Sequence, residues 1–227
     1  MFAYAGNNPI KYTDPDGRTT REDYAYQLRT EGKKYEALLM EYRALCSQGV
    51  NLGGLPYEPE KWNDPGFSYD EKTGKVIIGN PSSVQYRTNC YAYAMNLQKN
   101  PITGEKFPKR GEGGFALQPG DLCGIRLTNL RPSTIEALVS LDCRKIGYTF
   151  RETTFEKPVE KGNWKVALVI RNDDYHWYRQ NEDGTWSHKP GNTPVKNTDD
   201  ARNLIIDPRE AKSSYRFVKF YEVGPND

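Results

Sequence analysis

Residues 164–188 read WKVALVIRNDDYHWYRQNEDGTWSH, and the folding of this stretch decides which polar side chains can meet. Trp164 to Arg171 is a near-continuous apolar run, the pattern of a buried strand. Asp173-Asp174 makes a turn. Tyr175–Gln180 and Thr185–His188 then flank Asn181-Glu182-Asp183-Gly184, which with Thr185 has the pattern of a type I turn closed by a left-handed glycine and a bulge. In that geometry Asn181 faces Thr185, Tyr178 faces His188 and His176 faces Pro190. Side chains alternate along a strand, so His176, Tyr178, Gln180, Trp186 and His188 share one face. A two-residue Asp-Gly turn would instead put the histidines on opposite faces.

These are the only two histidines in 227 residues, so any histidine-dependent chemistry must use one of them. Upstream, Arg87 to Leu97 (RTNCYAYAMNL) is a polar start running into Ala, Met and Leu, which favour helix, and Thr88 or Asn89 can cap it. Cys90 then falls in the first turn, where unpaired N–H groups favour a thiolate and can help hold an oxyanion. A thiol needs a base at neutral pH, and an imidazole needs a third group to fix its tautomer. The expected constellation is Cys90 as nucleophile, His176 as base and His188 as orienting residue, with Asn192 as its substitute. Asn89 and Gln85 are the supporting or oxyanion candidates. A zinc site made of Cys90, His176 and His188 would lack short ligand spacing, and no metal or other cofactor is expected.

The bulk numbers are permissive. Hydrophobic residues make up 36%, but 16 Tyr, 8 Phe and 4 Trp can close a core, which argues against global disorder. A formal charge of +2, spread evenly, offers no nucleic-acid patch. No apolar run approaches the ~18 residues of a membrane span, and the start, MFAYAGNNPIKY, lacks the form of a signal peptide. Four dispersed cysteines (Cys46, Cys90, Cys123, Cys143) form no CxxC pair and no disulfide framework at this length.

Elsewhere, residues 21–47 carry Tyr and Leu at helical spacing behind Thr20, and 49–66 read as loop. FSYDEKTGKVII (67–78) reads as a hairpin. Leu117-Gln118-Pro119-Gly120 sets a tight turn leading into a strand. Ser133–Lys145 reads as a helix with Glu136 in capping-box position and Gly147 past its end. NLIIDP (203–208) and YRFVKFYEV (215–223) read as two more strands.

Three stretches carry resemblances. FAYAGNNPIKYTDPDGR (2–18), with its NNP and DPDG turns, resembles the closing motif of the RHS-repeat-associated core, whose shell encloses a variable C-terminal toxin released just past that motif. NCYAYA with Cys90, followed by LQPGDL (117–122), is similar to papain-like and NlpC-type cysteine peptidases. Residues 88–223 also resemble a module of uncharacterised bacterial proteins that groups the NCYAYA-type segment, the LQPG turn and HWYRQNEDGTWSHKPG, and this implies no settled activity.

Together these imply an α+β fold in which an N-terminal helical part precedes an antiparallel sheet packed on the helix that carries Cys90. The expected division is 1–18, the end of an RHS core; 19–50, a helical segment; and 51–227, a cysteine–histidine toxin domain. The RHS resemblance implies three partners: the parent's shell, a cognate immunity protein, and a protein or peptide substrate in a target cell reached by a specialised secretion system. The function expected is amide-bond hydrolysis or transfer through Cys90. The rivals are a toxin of another class, such as a metal-dependent nuclease, and a non-catalytic binding module.

Overall fold

The computed structural model describes residues 52–63, 67–70, 75–78, 83–108 and 116–226, together with positions 37, 40, 43, 44, 48 and 50. The RHS-like segment 1–18 and most of the helical segment expected over 21–47 lie outside the described residues. Ala37, Met40, Arg43 and Ala44 are helical. The hairpin near residue 70 is present: β1 (Phe67–Asp70) pairs antiparallel with β2 (Lys75–Ile78).

The architecture is α+β, built on a five-stranded antiparallel sheet. Its strands are β3 (Tyr148–Thr153), β4 (Trp164–Arg171), β5 (Asp174–Gln180), β6 (Trp186–His188) and β7 (Arg216–Pro225), in the spatial order β3-β7-β4-β5-β6. The hairpin register is the one its turn chemistry dictates. Asn181 N–H donates to the Thr185 carbonyl at 2.8 Å, Gly184 is left-handed at φ 83°, and Tyr178 pairs with His188.

Both faces of the central strand, β4, are covered, as its near-continuous apolar run requires. The short α1 (Val84–Arg87) precedes α2 (Cys90–Ala94), which lies with α3 (Pro132–Lys145) on one face. There Cys90, Tyr91, Ala94 and Met95 join Ile135 and Val139 against Val166, Leu168, Ile170, Tyr175 and Trp177. On the other face Ala167, Val169, Tyr178 and Trp186 pack with Phe155, Ile205 and Phe220. Trp164 Nε1 donates to the Ala94 carbonyl at 2.8 Å, tying the end of α2 to β4.

Asp142, on α3, holds the helical face together. Its carboxylate accepts from Tyr91 Oη (2.9 Å), Gly120 N (2.7 Å) and Cys123 N (3.2 Å), joining α2, α3 and the Pro119-Gly120 turn. Burial raises its pKa, while these three donors oppose the shift.

Three local expectations are corrected. Pro119-Gly120 leads into a single 3-10 turn, Asp121–Cys123, because left-handed glycines at 120 and 124 bracket it. Helix α3 starts at Pro132 with Arg131 as N-cap and no side-chain cap, so Ser133 and Glu136 form no capping box; Glu136 accepts from Tyr221 Oη instead. NLIIDP is not a strand: Leu204 makes one isolated bridge to Thr198, and Asp207 turns back to bind the Arg209 side chain and backbone.

Candidate functional site

Cys90 opens α2 as expected, and Asn89 is its N-cap, with Oδ1 accepting from Ala92 N at 3.0 Å. The helix is only five residues long, because Asn96 at φ 56° turns the chain away. The thiol is buried. Burial pushes it up to about 12, against opposition from the backbone N–H groups of Trp177 and Tyr91 and from Lys189, with Asp174 adding to the rise.

The histidines do meet each other. His176 Nε2 lies 2.7 Å from His188 Nδ1, and His188 Nε2 lies 3.1 Å from the Thr198 carbonyl. A carbonyl only accepts, so His188 carries its proton on Nε2 and presents a bare Nδ1. His176 must then donate from Nε2, and both tautomers are set with both rings neutral. Burial lowers both pKa values. His176 falls well below the usual imidazole range, with His188 and Lys196 adding to the effect, and His188 falls to about 4 despite its bond to Thr198.

The pairing of Cys90 with His176 is not formed. Cys90 packs with Tyr175 and Trp177, the residues flanking His176 on β5. Alternation sends the His176 ring to the other side, where it touches Tyr178, His188 and Tyr215. No hydrogen bond joins Cys90 to either histidine among the described residues. The expectation had the histidine face correct and the face covered by the helix wrong.

The supporting candidates are engaged elsewhere. Asn89 spends its amide N–H on the Leu117 carbonyl (2.8 Å). Gln85 contributes its backbone carbonyl to Lys189, and its buried Oε1 has no partner among the described residues. Asn192 sits exposed in the 190–193 turn, while the Thr198 carbonyl orients His188.

The cation near Cys90 is Lys189, which the sequence reading overlooked. It is fully buried, and its Nζ donates to the carbonyls of Gln85 (2.7 Å), Thr88 (2.8 Å) and Gly191 (2.8 Å). Burial pushes it down to about 7, while three acceptors around three N–H groups suit the ammonium form. The signal was available: if His188 faces one side of its strand, Lys189 faces the other, toward α2. The described residues hold no group of three His, Cys, Asp or Glu side chains placed for a metal ion, and no helix long and apolar enough to cross a membrane.

No family model and no solved structure matches this sequence. The chain is similar to insoluble matrix shell protein 1 of Ruditapes philippinarum, at 33% identity over 182 residues, covering 78% of this chain and 96% of that protein.

Proposed function

Because the chain belongs to the family of insoluble matrix shell protein 1, we propose that it is a non-catalytic structural module of an exported protein, serving in an extracellular matrix. The observation that carries this reading is the closed state of Cys90, His176 and His188, the groups expected to run the thiol chemistry. Cys90 is enclosed and held as the neutral thiol, and the histidines are bonded to each other and to a backbone carbonyl on the far face of β5. The RHS-like first eighteen residues fit the same reading, as the close of a shell that exports this module.

Two measurements test it. Iodoacetamide at neutral pH should leave Cys90 unmodified in the folded chain and modify it after denaturation. Produced inside a bacterial cytosol, the chain should be harmless, and Cys90→Ser should change nothing. Rapid labelling of native Cys90, or toxicity abolished by Cys90→Ser alone, would overturn the proposal. Fractionation of the producing culture should place the protein in the salt-resistant extracellular residue.

One observation favours a second reading, a papain-like thiol hydrolase delivered as a toxin. The backbone N–H groups of Trp177 and Tyr91 and the Lys189 ammonium all lower the Cys90 pKa, so they would stabilise a thiolate if the site opened. In that reading Lys189, not His176, is the residue coupled to the nucleophile, and Lys189→Met abolishes activity while His176→Phe does not.

A further inference from the structure

A cavity of about 420 Å³ opens between the 55–62 loop, the chain leaving α2 and strand β5, and Arg179 lines it together with Glu58, Lys61, Trp62, Asn96 and Lys99. Arg179 is 1% exposed. A buried guanidinium is normally met by a carboxylate, since taking the charge out of water costs several kcal/mol. Here its hydrogen-bond partners are all neutral: Nη1 donates to Asn96 Oδ1 (3.1 Å) and the Tyr93 carbonyl (3.4 Å), and Nη2 to Tyr93 Oη (2.9 Å) and the Pro56 carbonyl (3.5 Å). The ring of Tyr93 lies 3.9 Å from its central carbon and that of Trp62 5.8 Å.

The fifth donor has nothing. Nε is buried without an acceptor, and its neighbour on the same edge of the fork, Nη2, reaches Pro56 only at the limit of a hydrogen bond. Of the buried side-chain N and O atoms without partners among the described residues, Nε of Arg179 alone belongs to a charged side chain that lines the cavity. The rim adds Lys99, which is exposed, and Lys61, already paired with Glu58 at 2.7 Å. A buried cation with one unpartnered donor, aromatic walls and an exposed lysine on the rim matches a carboxylate.

We propose that this cavity binds a small carboxylate-bearing ligand, of the size of one sugar acid or one acidic amino acid, with Arg179 as the anchor and Lys99 as the rim charge. The site lies apart from Cys90 and the histidines, so it stands whether the module is structural or catalytic. Its volume falls in the ordinary range for small-molecule pockets.

The test is an NMR titration of the 15N-labelled full chain, following the Arg179 Nε–H and Trp62 indole signals. Glucuronate and N-acetylglutamate are the two acid probes; glucose and N-acetylglutamine amide, in which both carboxyls are amides, are their neutral counterparts. At least one acid should move the Arg179 signal, with a dissociation constant on the order of 1 mM or below, and its neutral counterpart should not. Which acid binds more tightly distinguishes a sugar from a peptide source. Lys99→Glu, an exposed change, should weaken binding about three- to tenfold. Arg179→Lys should abolish it, and Lys99→Glu carries the test if that buried change unfolds the chain. The proposal is overturned if neither acid shifts Arg179, if acid and neutral probes act alike, or if Lys99→Glu leaves affinity unchanged.

Discussion

Acidification should destabilise this protein chiefly through its paired histidines, before the carboxylates held below their usual range titrate. His188 has a pKa near 4 in the folded chain, against an unperturbed imidazole value of 6.5. The unfolded chain therefore binds more protons between those two values, and stability rises with pH across that window and is lost as pH falls through it. The full difference is worth about 3 kcal/mol, of which about 2 kcal/mol is gone by pH 5. His176 is shifted in the same direction by burial and by His188, and adds to the loss. Asp199 and Glu222 are held below the usual carboxylate range by hydrogen bonds that outweigh their burial, from backbone N–H groups for Asp199 and chiefly from Arg151 for Glu222, so they add losses only at lower pH. Asp142, raised by burial, moves the opposite way and offsets part of the effect. Urea denaturation at pH 7.5, 6, 5 and 4.5 should show the decline, and a His176→Phe/His188→Gln double variant should flatten it. Stability that is constant from pH 7.5 to 4.5 in the unaltered chain, or a decline that survives in the double variant, would refute the neutral-pair assignment.

Asp142→Ala strips the shared acceptor from Tyr91, Gly120 and Cys123 and should cost about 3–5 kcal/mol, a fall in Tm of about 10 °C by calorimetry; Asp142→Asn should cost less, because one acceptor oxygen remains. Gly120→Ala should destabilise by about 2–4 kcal/mol in the same assay, since Gly120 sits at φ 97° and a methyl there would collide with the Ile125 carbonyl.

The features legible in the sequence are those fixed by local chemistry. The Asn181–Thr185 turn set the hairpin register and, through it, the meeting of His176 with His188. Asn89 was readable as a cap because its short side chain reaches back to Ala92 N. Strand β4 was readable from its length and apolarity. Strand β3 (YTFRET) was missed: it is an edge strand paired only with β7, and its partly exposed residues carry no clean alternation. The apolar Leu204–Ile206 stretch misled in the other direction, since only Ile205 of the three is buried and the chain bends at Asp207.

The face of the sheet that α2 would cover was the decisive unknown, and no local signal could supply it. Trp164–Arg171 is apolar on both sides, so the strand accepts a helix on either. The choice falls to tertiary fit: Trp164 reaches the end of α2, Tyr91 reaches Asp142, and Tyr93 Oη meets Ser187 Oγ at 2.7 Å. Once α2 sits there, several polar groups nearby find their full set of partners, although Gln85 Oε1 and Trp177 Nε1 stay without one among the described residues. Lys189 has three carbonyls for three N–H groups, Asn89 uses both ends of its amide, and each nitrogen of His188 has a partner. A catalytic or binding group must keep a hydrogen-bonding position open for its ligand. These groups keep none, and completed polar networks of this kind rigidify a core. The same criterion separates Arg179 from them, because its buried Nε–H has no acceptor in a side chain that lines a cavity, while the rest of the guanidinium is fixed in place. The sequence draws attention to a cysteine and two histidines, whereas among the described residues the one buried charged group with an unpartnered donor that lines this cavity is Arg179 on β5.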